Sequence, residues 1–274
     1  MITASIVLYN TNTKQLKDAI NSYAPSAERI LYLIDNSEQE FDLKKLGMDL
    51  THIRYVFNNK NLGYGAGHNI ALRKAFECNS KYHIILNPDI KFESDVLNEL
   101  EAFMENHTDV TYLLPKVIYP NGNLQYLCKL LPTPVNLFLR RFSFPFIFFK
   151  KYDDIYVLKH SGYNKIINPP CLSGCFMFLR LDTIKQYNIF FDERFFMYFE
   201  DFDLIRRLHR VGKTIFYPYV TIIHDHAHAS YKSKKMLKLH IISAIKYFNK
   251  YGWFFDSERK KMNSIILDEI KSLL

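Results

Sequence analysis

Three clusters of side chains in this 274-residue chain have the types and spacing to do chemistry. Asn87, Pro88 and Asp89 follow directly on the apolar run His83 to Leu86. A carboxylate placed there can hold Mg²⁺ or Mn²⁺ against a diphosphate, because hard cations take carboxylate oxygens together with substrate phosphates. The same tripeptide is equally good turn chemistry. Glu200, Asp201 and Asp203 put three acids into four positions at the start of a helical stretch. Acids there complement the helix dipole in any protein, and a carboxylate in a cleft can also take a proton from an attacking hydroxyl. His224, Asp225, His226 and His228 set three histidines and a carboxylate within five residues, a density that fits a metal or phosphate contact. They do not form a zinc site by themselves, since successive residues of an extended chain point to opposite sides. A fourth segment, Asn58 to Asn69, is rich in Gly and Asn like a phosphate loop, but its spacing is neither a Walker A nor a full dinucleotide fingerprint.

Positioning these groups requires a scaffold, and the apolar pattern supplies one. Ile2 to Tyr9 reads as a strand, Thr13 to Tyr23 as a helix, Ile30 to Ile34 as a strand, Ile53 to Phe57 as a strand and Gly67 to Cys78 as a helix. His83 to Leu86 follows as a strand and Ser94 to Asn106 as a helix with Ser94 at its N-cap. Short apolar strands alternating with helices imply a mainly parallel sheet covered on both faces. Ligands bind such sheets beyond the carboxyl ends of the strands, where Asn10, Asp35, the 58–69 segment and Asn87 to Asp89 all fall. Further on come a strand from Cys175 to Leu179, a helix from Glu200 to Val211 closed by Gly212, a strand from Thr214 to Ile223 and a basic, aromatic helix from Lys234 to Tyr251. Between the halves, Leu127 to Tyr156 mixes Pro132, Pro134 and Pro145 with Phe138, Phe142, Phe144, Phe146, Phe148 and Phe149, and does not read as a core helix.

Composition narrows the classes. With 48% hydrophobic and 23% charged residues the chain can bury a sizeable core. It has no 18-residue apolar run, and Met1 to Asn10 lacks the basic and apolar regions of a signal peptide, so a cytoplasmic protein is expected. Cys78, Cys128, Cys171 and Cys175 lack the spacing of a structural zinc site and are expected to be reduced. The net charge of +8 is concentrated near Arg140, Arg141, Lys150 and Lys151, from Lys232 to Lys238, and from Arg259 to Lys261, which favours anionic partners. A nucleic-acid-binding protein is the reading of another class, from a pI of 9.1 and basic residues interleaved with aromatics, but it leaves the acidic motifs without a role. A nucleotidyltransferase would need a basic glycine-rich loop after the first strand, and Tyr9 to Lys14 has no glycine.

In their order these motifs resemble the family 2 glycosyltransferases of the rhamnosyltransferase type, over roughly residues 2 to 255. The matching pieces are Val7 to Thr11; Asp35, Asn36 and Ser37; Asn61 to Asn69; Leu86 to Asp89; Ser173 to Phe176; Phe191 to Leu208; and His224. The resemblance implies a GT-A type nucleotide-binding fold: an α/β domain over 1–230, with a donor half to about 115 and an acceptor half after it, and a C-terminal helical extension over 231–274. It implies that Asn10, Asp35, Asn61, Gly63, Gly67, Asn69, Asn87 and Asp89 bind the donor, Asp35 at the base. Gly174, Cys175 and Glu200 are then acceptor-side, Asp201 is the catalytic base, and Asp89 with His224 holds Mg²⁺ or Mn²⁺. The sequence after His224 departs from the glycine-containing pattern usual there, leaving His224, His226 and His228 as alternatives.

The activity implied is inverting transfer of a sugar, with rhamnose from dTDP-rhamnose favoured and a UDP-linked hexose or galactofuranose as the alternative donor. The acceptor expected is a lipid-diphosphate-linked glycan in cell-surface polysaccharide or O-antigen synthesis. The basic, aromatic stretch Leu130 to Lys151 is expected to meet an anionic membrane face or, alternatively, to form a homodimer interface or a flap on the core. No nucleic-acid partner is expected.

Overall fold

The computed structural model describes residues 1–142, 147–225 and 234–273, with backbone alone at 138, 141, 142 and 147–149. Phe144, Pro145 and Phe146 of the aromatic stretch lie outside the described residues. The first half alternates β1 (Ile2–Leu8), α1 (Thr13–Tyr23), β2 (Arg29–Asp35), β3 (Ile53–Phe57), α2 (Tyr64–Glu77) and β4 (Tyr82–Leu86). These four strands are mutually parallel. β4 is buried along its whole length, as expected of a strand covered on both faces. Helix α1 opens where Asn12 Oδ1 accepts hydrogen bonds from the backbone N–H groups of Lys14 and Gln15. Its Leu16, Ala19, Ile20 and Tyr23, spaced three to four apart, are the buried face.

The chain continues through β5 (Ile90–Lys91), α3 (Val96–Asn106), β6 (Val110–Ile118), α4 (Pro134–Phe142), α5 (Ile147–Tyr156), β7 (Phe176–Arg180), α6 (Leu181–Tyr187), α7 (Glu200–His209), β8 (Lys213–His224), α8 (Lys234–Tyr251) and α9 (Ser257–Leu273). The sheet order is β3-β2-β1-β4-β7-β6-β8-β5. β7 runs antiparallel to both β4 and β6, and β5 antiparallel to β8, so the sheet is mixed with a parallel majority.

Several boundaries differ from the sequence expectation. Helix α2 begins at Tyr64, three residues before Gly67, so half of the glycine-rich segment is helical. Those glycines serve close packing: a Cβ on Gly65 would lie 2.8 Å from Phe191 Cβ, and one on Gly67 2.7 Å from Val7 Cγ2. Ser94 does not cap α3, whose N-cap position is Asp95. Helix α7 ends at His209, and Gly212 belongs to the following turn, where a Cβ would come within 2.3 Å of Thr111 Cγ2.

The second half is locked by buried charge. Asp203 of α7 is fully enclosed and accepts from Arg207 Nε at 2.8 Å, Tyr251 Oη at 2.7 Å and Lys250 Nζ. Arg206, 1% exposed, donates to both oxygens of Asp256 at 2.7 and 2.8 Å and to Glu258 at 2.6 Å, with its guanidinium 4.0 Å from the Tyr251 ring. Burial opposes ionisation of Asp256 and Glu258, yet Arg206 and Arg259 hold Asp256, and Arg210 and Arg206 hold Glu258, below the usual carboxylate range. Because the folded-state values are lowered, this stabilisation is complete above the unfolded carboxylate range of about 4 and is lost as pH falls through the lowered values. Arg206→Met should cost about 3–5 kcal/mol by leaving Asp256 buried without its partner. Urea denaturation across acid pH should also show a shallower loss of stability in the variant than in the parent.

Candidate active site

Four parallel strands deliver their carboxyl ends to one edge of the sheet, carrying Asn10, Asp35 to Ser37, Asn58 and Asn87. Side chains stitch this edge together. Asn58 Nδ2 donates to Asn36 Oδ1 at 2.8 Å, and Asn36 Nδ2 donates to the Gly63 carbonyl at 2.9 Å. Gly63 has φ +89°, and a Cβ there would lie 2.3 Å from the Phe196 carbonyl oxygen, so only glycine lets α2 start at this point. Asn61 Oδ1 accepts from Gly63 N at 3.0 Å and shapes the approach.

The sheet then gathers residues far apart in sequence. Pairing of Ile90 with His224, together with a 3.0 Å bond from Asp225 N to the Asp89 carbonyl, brings β8's last residue beside the Asn87 to Asp89 turn. Antiparallel pairing of β4 with β7 sets the 173–175 loop against the same turn, Asn87 N donating to the Cys175 carbonyl at 2.9 Å. Gly174 N donates to Asp201 Oδ2 at 3.2 Å, tying in the start of α7. A Cβ on Gly174 would stand 3.0 Å from Asp201 Cβ. Tyr64 Oη lies 3.0 Å from Asn87 Oδ1 and 2.7 Å from the Gly174 carbonyl, joining the glycine-rich helix to both turns. Asn87, Asp89, Gly174, Cys175, Glu200, Asp201 and His224 are thus one site.

Its electrostatics follow from enclosure. Burial pushes Glu200 well above the usual carboxylate range, and Asp201 beside it adds to the effect. Burial likewise raises Asp201, opposed by Lys129 and by backbone N–H donors, among them those of Phe202 and Gly174. Glu200 Oε2 is buried and accepts no hydrogen bond from the described residues. Ahead of this pair, Tyr198 and Phe199 both have positive φ, +67° and +66°, a conformation costing of order 1–3 kcal/mol for each such residue. The Phe199 ring is held by Phe202, His240 and Tyr247 at centroid distances of 5.2 to 5.4 Å, and Ser243 Oγ donates to the Met197 carbonyl at 2.8 Å.

The residues present fit a divalent cation. Asp89 Oδ1 is buried, accepts no hydrogen bond from the described residues, and stands 3.4 Å from His224 Nε2. Gln125 Nε2 donates to the His224 carbonyl at 2.8 Å, which leaves Gln125 Oε1 to accept from His224 Nδ1 at 3.0 Å. The neutral ring then carries its lone pair on Nε2, toward Asp89, an arrangement that metal-ligating histidines use. Without a cation, burial works against a charge on His224, but the Cys175 sulfur and Asp89 outweigh it and raise the ring to about 10. Among the described residues no three His, Cys, Asp or Glu side chains group as ligands, so a cation held by Asp89 and His224 would need substrate phosphate and water to complete its coordination.

Other residues are placed differently. Asp35 is fully buried: its carboxylate accepts from Ser37 N and Phe41 N at 2.9 Å and from Tyr55 Oη at 2.5 Å, bracing the 36–41 loop. Asn69, 1% exposed, corrects the donor-contact expectation: it clamps the 191–193 segment, accepting from Phe191 N and donating to the Phe191 carbonyl and Glu193, each at 3.0 Å. Gly67, buried against Val7, is likewise a packing residue rather than a surface for a nucleoside. Asn10 is exposed at the end of β1 in the left-handed region. His226 and His228 lie outside the described residues. Sequence reasoning missed Tyr64, Gln125 and Lys129; Tyr64 stood in the glycine-rich segment and Lys129 in the 127–156 stretch, but neither was given a role in the site.

A sheet whose parallel half ends in a carboxylate beside a histidine, with buried Glu200 and partly buried Asp201 at a nearby helix start, is that of the GT-A class of glycosyltransferase fold. S. aureus TarS 1–349 shares it with TM-score 0.58 and 15% identity, over 97% of this chain and 70% of that one. GalNAc-T7, solved with UDP, GalNAc and Mn²⁺, does so with TM-score 0.59 and 14% identity, over 92% of this chain and 49% of that one. This chain also covers 42% of the longer TarS structure at TM-score 0.56 and 14% identity. Residues 4–180 match the family described as Glycosyl transferase family 2, and the chain belongs to that family. No curated protein matches. Gln125→Ala should weaken Mn²⁺ binding by about 10–100-fold in calorimetric titration, because the ring of His224 loses its orienting partner.

Proposed function

We propose that the site transfers a sugar from a pyrimidine nucleoside diphosphate to a hydroxyl of a glycan acceptor with inversion, assisted by Mg²⁺ or Mn²⁺. The observation that carries the reading is the juxtaposition in one site of Asp89 and His224, aligned by Gln125, with the buried Glu200 and the partly buried Asp201. Asp201 takes the proton of the acceptor hydroxyl as that oxygen attacks the anomeric carbon. The bond from that carbon to the nucleoside diphosphate breaks on the opposite face, and one displacement inverts the centre. Burial of Asp201 raises its proton affinity, which suits a general base, and the N–H groups of Gly174 and Phe202 orient it. Glu200, with its unpartnered oxygen, contacts the acceptor. A divalent cation held by Asp89 and His224 would stabilise the negative charge on the departing diphosphate.

Two donors support this reading differently. The motif order resembles enzymes that use dTDP-rhamnose, whereas TarS has been solved with UDP and with UDP-GlcNAc; a pyrimidine diphosphate is common to both. Asn10, Asn61, Asn87 and Asp89, at the accessible sheet edge, are the donor contacts, with Asp35 and Asn36 ordering the loops that frame the base. The acceptor class we favour is a lipid-diphosphate-linked glycan.

Calorimetry with UDP, dTDP, GDP and ADP, with and without Mn²⁺, should show cation-dependent binding of the pyrimidine nucleotides, abolished by Asp89→Ala. Failure of every nucleotide under both conditions overturns the proposal. Asp201→Asn should retain nucleotide affinity while turnover of the donor falls about 10²–10⁴-fold. In the parent enzyme the acid limb of the pH–rate profile should lie above the ordinary aspartate range, since activity is lost as pH falls through the raised value of Asp201.

A further inference from the structure

Beyond the transfer site, α4 and α8 enclose an apolar groove of about 600 Å³, lined by Val135, Leu137, Leu237, Ile241, Ile245 and Trp253 among others. Leu237, Ile241, Ile245 and Phe248 recur at the spacing of one helix face, and Ile241 and Ile245 remain 49% and 42% exposed. In the turn between α8 and α9, Trp253, Phe254 and Phe255 are 39%, 75% and 96% exposed. Three adjacent aromatics left in water at one chain reversal, continuous with an open apolar groove, are more than scattered surface hydrophobics.

Charge identifies the partner. Helix α8 carries five lysines and no acid. Lys246 and Lys250 are bound to Arg194 O and to Asp192 and Asp203, while Lys234, Lys235 and Lys238 are exposed with no carboxylate partner among the described residues. A helix with lysines beside an apolar stripe and large aromatics at its end has the composition of an interfacial element, its aromatics entering the acyl boundary and its ammonium groups meeting anionic headgroups. Among the described residues no helix is long and apolar enough to cross a membrane, so the fit is to a surface.

We infer that the α4–α8 groove and the Trp253 to Phe255 turn form a docking face for an anionic lipid bilayer. The face adjoins the transfer site: His240 lines the groove and also packs at 5.2 Å on Phe199, the residue preceding Glu200. Docking therefore sets the acid pair close to the membrane, where a lipid-borne acceptor is presented. The earlier expectation put the contact in Leu130 to Lys151; of that stretch, Pro134, Val135, Leu137 and Leu139 line this groove.

The test is vesicle flotation of the full chain with equal parts phosphatidylcholine and phosphatidylglycerol, against phosphatidylcholine alone. The protein should float with the anionic vesicles, less so at high salt, and remain at the bottom with neutral ones. The exposed pair Phe254→Ser with Phe255→Ser should reduce vesicle binding by at least about tenfold, and Lys234→Glu, Lys235→Glu and Lys238→Glu by roughly fivefold for each lysine removed. Nucleotide affinity should be unchanged in both variants, which separates failure of this inference from failure of the proposed reaction. Absence of flotation, or equal flotation of parent and variants, overturns it. So does a dimer in analytical ultracentrifugation that the same substitutions dissolve without any vesicle binding, which would assign the face to a second copy of the chain.

Discussion

Asp203 and Arg206 sit one turn apart on α7, both enclosed, and a charge removed from water survives only where partners meet it with good geometry. Apart from Arg207 on the same helix, their partners come from the last quarter of the chain: Lys250 and Tyr251 for Asp203, Asp256 and Glu258 for Arg206. That requirement makes the C-terminal helices part of the site. They fix the axis of α7, and its first residues, Glu200 and Asp201, are the acid pair. Beside these ion pairs, Tyr247 and Phe248 pack with Phe195 and Phe199 into a separate aromatic cluster, which holds two consecutive left-handed residues in place at the approach to Glu200. Strain of that kind persists only when the surroundings over-determine it.

The site itself is an exercise in balanced negative charge. Asp89, Glu200 and Asp201 converge with the Cys175 sulfur at one edge of the sheet, and burial raises Glu200 and Asp201 by disfavouring their charged forms. The compensating groups are few: His224 against Asp89, Lys129 near Asp201, and backbone N–H donors at Gly174 and Phe202. A site short of positive charge in this way is suited to a divalent cation and to a substrate that arrives with one. Gln125 contributes without touching any of the acids, because its own amide is fixed by the His224 carbonyl and dictates which ring nitrogen of His224 lacks a proton when the ring is neutral.

On the outer side of the same helix α8, the physical demand reverses. One face buries Tyr247 and places Lys250 against Asp192 and Asp203, whereas the other leaves isoleucines in solvent beside lysines that have no carboxylate partner among the described residues. A single amphipathic element thus both supports the acid pair and presents a surface for a partner, which couples the location of the chemistry to whatever that surface meets.

The sequence by itself determined the elements whose signal is local. Thr13–Tyr23, Ile53–Phe57 and Lys234–Tyr251 stand where periodicity places them, because amphipathic spacing is a property of neighbouring residues. The motif order likewise sufficed for the fold class and for the clustering of Asn87, Asp89, Asp201 and His224. Strand β6 was illegible because Pro115 interrupts it; that proline cannot donate to a ladder, and the structure accommodates it at a register shift against β8. The onset of α2 was hidden because glycines usually break helices, whereas here Gly63 turns the chain and Gly65 and Gly67 admit Phe191 and Val7 at close range. The direction of β7, the alignment of His224 by Gln125, the clamp of Asn69 on Phe191 and the enclosure of Asp35 were decided only by tertiary structure. Each depends on partners from 6 to 122 positions away, and no local pattern records which distant backbone or side chain will arrive to satisfy a buried polar group.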